Sequence, residues 1–151
     1  MFETPEKNIK QYAKDLPSGE KKEILDGLGE LKNAKRNAKY FSILMDWGML
    51  DAAIGAIPEL GDAATALAGL YIVYQAKKIG MPTQDLLKMV KTNVKDFGIG
   101  AVPLVGDALD TFYLSHSKNF KQLDAYFKDP KNTDRILATI EEKIAKKKGL
   151  K

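Results

Sequence analysis

The strongest constraint on how this chain folds is a thirteen-residue phrase that it states twice. Asp51 to Ala63 aligns without gaps on Asp96 to Ala108, at an offset of 45, with eight of the thirteen positions identical. Neighbouring segments rarely match so closely unless each encodes the same supersecondary unit. Both copies contain the order Pro-x-x-Gly-Asp: Pro58, Gly61 and Asp62 in the first, Pro103, Gly106 and Asp107 in the second. Proline has no amide to donate and its ring clashes with the preceding turn, so it halts a helix. Glycine tolerates the left-handed backbone of a helix end, and an aspartate oxygen accepts from the exposed amides that open the next helix. Gly55 and Ala56, with Gly100 and Ala101, are small enough for the two arms to approach closely. The phrase therefore predicts two tandem helical hairpins, 41–80 and 83–118, related as a pseudo-twofold bundle of four central helices.

Outside the repeat the apolar spacing is also helical. Thr4 and Pro5 form a cap and first-turn pair ahead of Ile9, Tyr12 and Ala13, before Leu16-Pro17-Ser18-Gly19 interrupts. From Ser18 a second helix carries Ile24, Leu28, Leu31, Ala34 and Ala38 at i, i+3/i+4 spacing. Lys32, Lys35, Arg36 and Lys39 follow one another just before the pattern turns apolar on nearly every side, from Phe41 on to Ile57. Thr83 is expected to cap a helix lined by Leu86, Leu87, Val90, Val94 and Phe97, and Ile136, Leu137, Ile140 and Ile144 line another. Period-two alternation is absent, so the expected class is all-α, a helical bundle built on two Pro-x-x-Gly-Asp hairpins with amphipathic terminal helices. At 151 residues one domain is the natural count: amphipathic helices over 1–40, the two hairpins, and a basic helical segment over 119–151.

With no Cys and one His, disulfide scaffolds, thiolate zinc sites and thiol chemistry are excluded. The amino terminus has acids and no apolar run behind them, so no secretory signal is read and cytoplasmic residence is expected. The longest uncharged stretch, Ala63 to Ala76, has 14 residues. At ~1.5 Å per residue that makes roughly 21 Å of helix, short of the ~30 Å hydrocarbon layer. Charge is uneven: 9 basic and 7 acidic residues in 1–40, 5 and 8 in 41–116, and 10 and 5 in 117–151. Basic flanks around an apolar middle suit anionic lipid headgroups, although a core segment with solvated ends has the same profile. The lysines are mixed with acids and lack interleaved aromatics, so nucleic acid is not expected as a partner.

The stretch from about Leu50 to Leu123 resembles the family catalogued as domain of unknown function 4112. The motifs that carry the resemblance are Leu50-Asp51, Ile57 to Asp62, Gly80-Met81-Pro82, Lys88-Met89 and Gly100 to Asp110. The family's Asn after the Met falls one position late here, as Asn93 with Thr92 in its place, and Asn119 alone corresponds to its Asn-rich tail. The resemblance implies the fold unit and no activity.

The carboxylates are the chemistry-bearing groups most worth weighing. Asp62 and Asp107 read first as helix caps. Asp51 and Asp96 lie seven residues before each Pro, on arms expected to be buried. If the hairpins are twofold-related these four groups converge, either to share protons or to hold a cation through oxygen ligands. Asp107, Asp110 and Asp62 are the metal candidates, Asp107 and Asp110 sharing a face at i and i+3. His116 stands between Ser115 and Ser117, but helix neighbours point apart and form no nucleophile and base pair. No phosphate loop, dinucleotide fingerprint or metalloprotease motif occurs, so neither an enzyme nor a cofactor is expected and no small-molecule substrate is identifiable. Three readings remain. The first is a non-enzymatic, membrane-associated helical protein on the cytoplasmic side, with lipid as partner, homo-oligomerisation as an option, and Leu67, Leu70, Ile72 and Val73 facing lipid or a second copy. The second is a soluble cytoplasmic protein-interaction domain, and the third a carboxylate-based cation-binding protein. The excess of apolar residues over 41–57 and 63–76 favours the first.

Overall fold

The computed structural model describes residues 3–46, 70–98 and 105–150, with side chains over 3–45, 70–90 and 117–150. Helix α1 spans Pro5–Lys14. The Thr4 carbonyl accepts from the amides of Lys7 and Asn8 at 2.9 and 3.0 Å, so Thr4 caps through its backbone and its hydroxyl makes no cap bond. Pro17 enforces the break that follows. Helix α2 spans Ser18–Asp46 and opens on the Pro17 carbonyl, which accepts from the Lys21 amide at 2.8 Å. The helical residues 70–79 form α3, followed by α4 over Thr83–Gly98 and α5 over Val105–Lys128. A short 3-10 turn, Pro130–Asn132, leads into α6 over Thr133–Lys147. Among the described residues every regular element is helical, and the all-α class holds.

The core lies where α1, α2, α3, α5 and α6 converge. The expected stripe on α2, Ile24, Leu28, Leu31, Ala34 and Ala38, is buried throughout. It meets Ile9 and Ala13 of α1, Leu123 and Phe127 of α5, and Ile136 and Ile140 of α6 in one cluster. Each large aliphatic side chain closed off from water contributes about 1.5–3 kcal/mol relative to exposure, which is what holds short terminal helices onto the bundle. Gly27 sets the approach of α2 to α6. A Cβ there would stand 2.5 Å from Ile140 Cγ2, so the missing side chain admits the isoleucine.

Helix α3 ends in a Schellman turn, in which the Gly80 amide donates to the Lys77 carbonyl at 3.0 Å and the Met81 amide to that of Ala76 at 3.2 Å. Gly80 has φ +91°, a conformation glycine adopts without Cβ strain. Tyr126 of α5 donates its hydroxyl to the Gly80 carbonyl at 3.0 Å and locks the turn. Burial pushes this phenol up to about 12, with Arg135 pulling the other way and Asp85 reinforcing the rise.

Three sequence expectations need correction. Pro82 rather than Thr83 occupies the cap of α4, because its carbonyl accepts from the Asp85 and Leu86 amides at 2.9 and 3.0 Å. Helix α4 docks through Met89, with Leu86 beside it, and this leaves Leu87 52% exposed. Ile72, expected to face lipid, is fully buried and Val73 packs against the same cluster. The reason is the spacing of Ile72, Ala76 and Ile79 at i, i+4 and i+7, which places them on the inner face of α3.

Helices α4 and α5 pack against each other. Buried Asn119 reaches across this contact, its Nδ2 3.5 Å from the Met89 carbonyl. Helix α5 begins at Val105, so Gly106 and Asp107 fall within its first turn. The first copy of the repeat, with Pro58, Gly61 and Asp62, and Pro103 of the second lie outside the described residues.

Candidate functional site

One side of α2 concentrates positive charge. With Leu31, Ala34 and Ala38 turned into the core, Lys32, Arg36 and Lys39 recur at i, i+4 and i+7 on an adjoining face, and Lys35 sits between that face and α5. Carboxylates from the neighbouring helices hold two of the four. Glu6 of α1 pairs with Lys32 at 2.8 Å and with Lys10 at 2.7 Å. Asp124 of α5 pairs with both Lys35 and Lys128 at 2.6 Å. The hydrogen bonds from Lys10 and Lys32 hold Glu6 below the usual glutamate range against a partial burial. At Asp124 burial is the largest influence and acts upward, but Lys128 and Lys35 together outweigh it and the carboxyl ends low. Lys35 also stands over the Phe127 ring, 5.1 Å from its centroid. Arg36 and Lys39 are exposed, and among the described residues neither has a carboxylate within ion-pair distance. An open groove of about 500 Å³ runs between these side chains, lined also by Gly29, Asn33 and Phe127.

Immediately beyond the basic row the surface becomes apolar. Tyr40 is 64% exposed and Ile43 and Leu44 are exposed beside it, while Leu70 and Tyr74 are exposed on α3. The rings of Phe41 and Tyr71 meet at 4.6 Å, which packs the end of α2 beside α3. Lys78 stands 4.9 Å above the Tyr74 ring. Isolated exposed apolar residues are ordinary, but on α2 Tyr40, Ile43 and Leu44 directly follow the exposed cations Arg36 and Lys39, and such a run marks an interaction surface.

A second basic cluster lies where α6 meets α2. Glu30 pairs with Lys147, and Lys148 pairs with Glu23 at 2.7 Å. The Lys147 hydrogen bond lowers Glu30 despite some burial, with Lys143 and Lys78 adding to the effect. Lys143 is lowered chiefly by burial, Glu30 opposing the change and Lys78 and Lys147 extending it.

The sequence-derived metal candidates are not brought together by anything described. Asp51 and Asp62 lie outside the described residues, as do the side chains of Asp96, Asp107, Asp110 and His116 on α4 and α5. Among the described residues no three acidic or His side chains are grouped to hold a metal ion. Nor is any described helix long and apolar enough to cross a membrane. Sequence reading noticed the basic row but not the groove. Its walls come from α1 and α5, and the approach of Glu6, Asp124 and Phe127 to α2 has no local signature.

The architecture defines an all-helical bundle with a charged groove where α1 and α5 meet α2 and exposed apolar side chains beyond it on α2. Over residues 32–127, more than half its length, the chain matches the family described as a domain of unknown function (DUF4112), and it belongs to that family. The match runs from the first lysine of the groove to its aromatic wall. No curated protein and no solved structure matches the chain. Several motif residues that carried the resemblance serve the packing of α3, α4 and α5: Gly80 makes the turn, Met81 and Met89 are buried, and Asn119 bridges α5 to α4.

Proposed function

We propose that this protein is a non-enzymatic helical module that associates with the cytoplasmic face of an anionic membrane. The observation that carries this reading is the adjacency, along α2, of the exposed apolar side chains Tyr40, Ile43 and Leu44 to Arg36 and Lys39, for which no described carboxylate is an ion-pair partner. Amphipathic surfaces of this composition lie in the headgroup region, with apolar side chains in the acyl boundary and cations at the phosphates. Each basic side chain near such a surface contributes about 1 kcal/mol, and salt screens that contribution. Tyrosine suits the boundary because its ring is apolar and its hydroxyl stays wet.

The tandem hairpins, 41–80 and 83–118, belong to the same proposal. The packing of α4 on α5 and the Asn119 contact to Met89 support a hairpin for the second copy. In this reading these apolar side chains rest at the membrane level of the first hairpin and the basic groove at the headgroups.

Flotation with vesicles tests it directly. The protein is expected to float with vesicles containing phosphatidylserine, to remain behind with phosphatidylcholine alone, and to be partly released by high salt. The variant Tyr40→Ser/Leu70→Ser changes only exposed side chains and should fold normally while losing flotation. A wild-type chain that stays monodisperse and unbound beside anionic vesicles refutes the reading.

A further inference from the structure

We propose that the groove on α2 is a binding site for a phosphomonoester-bearing anion, gripped by Arg36 and Lys39 and steadied by Lys32, Lys35 and Asn33 against the Phe127 wall. The proposal deepens the membrane reading, on which it rests for the placement of this face near headgroups, but its geometry stands apart from the exposed apolar side chains.

The argument begins with how charge is distributed inside the groove. Glu6 is divided between Lys10 and Lys32, and Asp124 between Lys35 and Lys128. Each carboxylate therefore orients a groove lysine without cancelling the local excess of positive charge. This leaves Arg36 and Lys39, one turn apart on the same face, as the groove cations that no described carboxylate engages. A guanidinium presents a planar fork that fits two oxygens of one phosphate, and a neighbouring ammonium adds a mobile point charge. A phosphomonoester carries close to two negative charges at neutral pH, so it matches two adjacent cations better than a singly charged phosphodiester or carboxylate does.

Size and wall chemistry narrow the ligand further. At about 500 Å³ the groove falls within the ~300–1,000 Å³ range of small-molecule clefts and has room for more than a lone phosphate. Asn33 offers both a donor and acceptors for hydroxyls, and Phe127 offers an apolar face. A phosphorylated polyol ring fits that description, whether borne by a lipid headgroup or free in solution. A row of lysines serving only to solvate α2 does not require a concave wall contributed by α5 or cations held in place from two sides.

The experiment compares two double variants of equal charge, Arg36→Gln/Lys39→Gln in the groove and Lys22→Gln/Lys131→Gln on exposed surface elsewhere. Binding is measured by titration calorimetry with inositol hexakisphosphate, and by flotation with phosphatidylcholine vesicles carrying a phosphatidylinositol phosphate or, separately, phosphatidylserine. Circular dichroism melts confirm that both variants fold. The groove variant should lose at least about tenfold in affinity for the phosphorylated probes, and the surface variant less than about twofold. Response to the soluble probe points to a free phosphate ester, and response to vesicles alone points to a headgroup. Equal losses in both variants, or no binding of either phosphorylated probe by wild type, overturn the proposal. Its failure is separable from that of the membrane reading. Flotation on phosphatidylserine that survives while the groove variant binds phosphorylated probes like wild type leaves the membrane reading and removes the site. Soluble-probe binding without any flotation does the reverse.

Discussion

Gly80→Ala tests the turn that fixes α3 against the rest of the bundle. At φ +91° an alanine Cβ collides with its own backbone, a cost of about 1–2 kcal/mol. The added Cβ also enters contact distance of Thr139 Oγ1 and lies 3.0 Å from Thr139 Cβ, tighter than packed carbon atoms allow. Rotating Thr139 relieves the first contact but breaks its hydroxyl bond to the Arg135 carbonyl, now 2.9 Å. Rotation does nothing for the second, and overpacking of this kind costs about 1–3 kcal/mol. Alanine returns about 0.4–1 kcal/mol by stiffening the unfolded chain. The expected net loss is about 1–4.5 kcal/mol, a fall in melting temperature of roughly 2–18 °C for a chain of this size. Urea denaturation followed by circular dichroism measures it. In the Gly80→Ala background, Thr139→Ala deletes Oγ1 and Cγ2, two of the three atoms the new Cβ meets, and should recover about 1 kcal/mol because the two positions are not additive. A Gly80→Ala protein within about 0.5 kcal/mol of wild type, or a double variant that recovers nothing, refutes both the turn geometry and the contact with α6.

Two further predictions concern the groups that titrate. Tyr126 must stay neutral to donate to Gly80, and its folded pKa lies above the ordinary value of 10, so its stabilisation is whole below pH 10 and is lost as pH rises toward about 12. Tyr126→Phe should lose about 1 kcal/mol at neutral pH and flatten this alkaline limb in stability measured against pH; an unchanged limb contradicts the assignment. Asp124, whose folded pKa lies below the ordinary 3.8, contributes stability above that value that disappears as pH falls through the folded pKa. Asp124→Asn should cost no more than about 1 kcal/mol, since its ion pairs are partly solvated, and should flatten the acid limb. By releasing Lys35 and Lys128 it should also tighten inositol hexakisphosphate binding, and weaker binding would count against the groove.

The burial of individual residues shows where local reading works. Ile24, Leu28, Leu31, Ala34 and Ala38 were legible because a helix with 3.6 residues per turn puts them on one side whatever it meets. Helix α6 was legible for the same reason, with Ile136 and Ile140 buried at spacing four. Leu87 and Ile72 show the limit. Both are apolar, yet the docking of α4 through Met89 and Leu86 leaves the first outward, and the docking of α3 turns the second inward.

Helical class, the break at Pro17 and the basic row on α2 were decided by the amino-acid order itself, because proline geometry and helical periodicity act over a few residues and need no partner. Tertiary structure alone decided that Glu6 of α1 and Asp124 of α5 would both reach the row, that Phe127 would line its groove, and that Phe41 would meet Tyr71 of α3. Those contacts join positions far apart in the chain, and their geometry depends on how helices of fixed periodicity settle on one another. Small residues such as Gly27 and Gly80 set that fit by leaving space for Ile140 and Thr139.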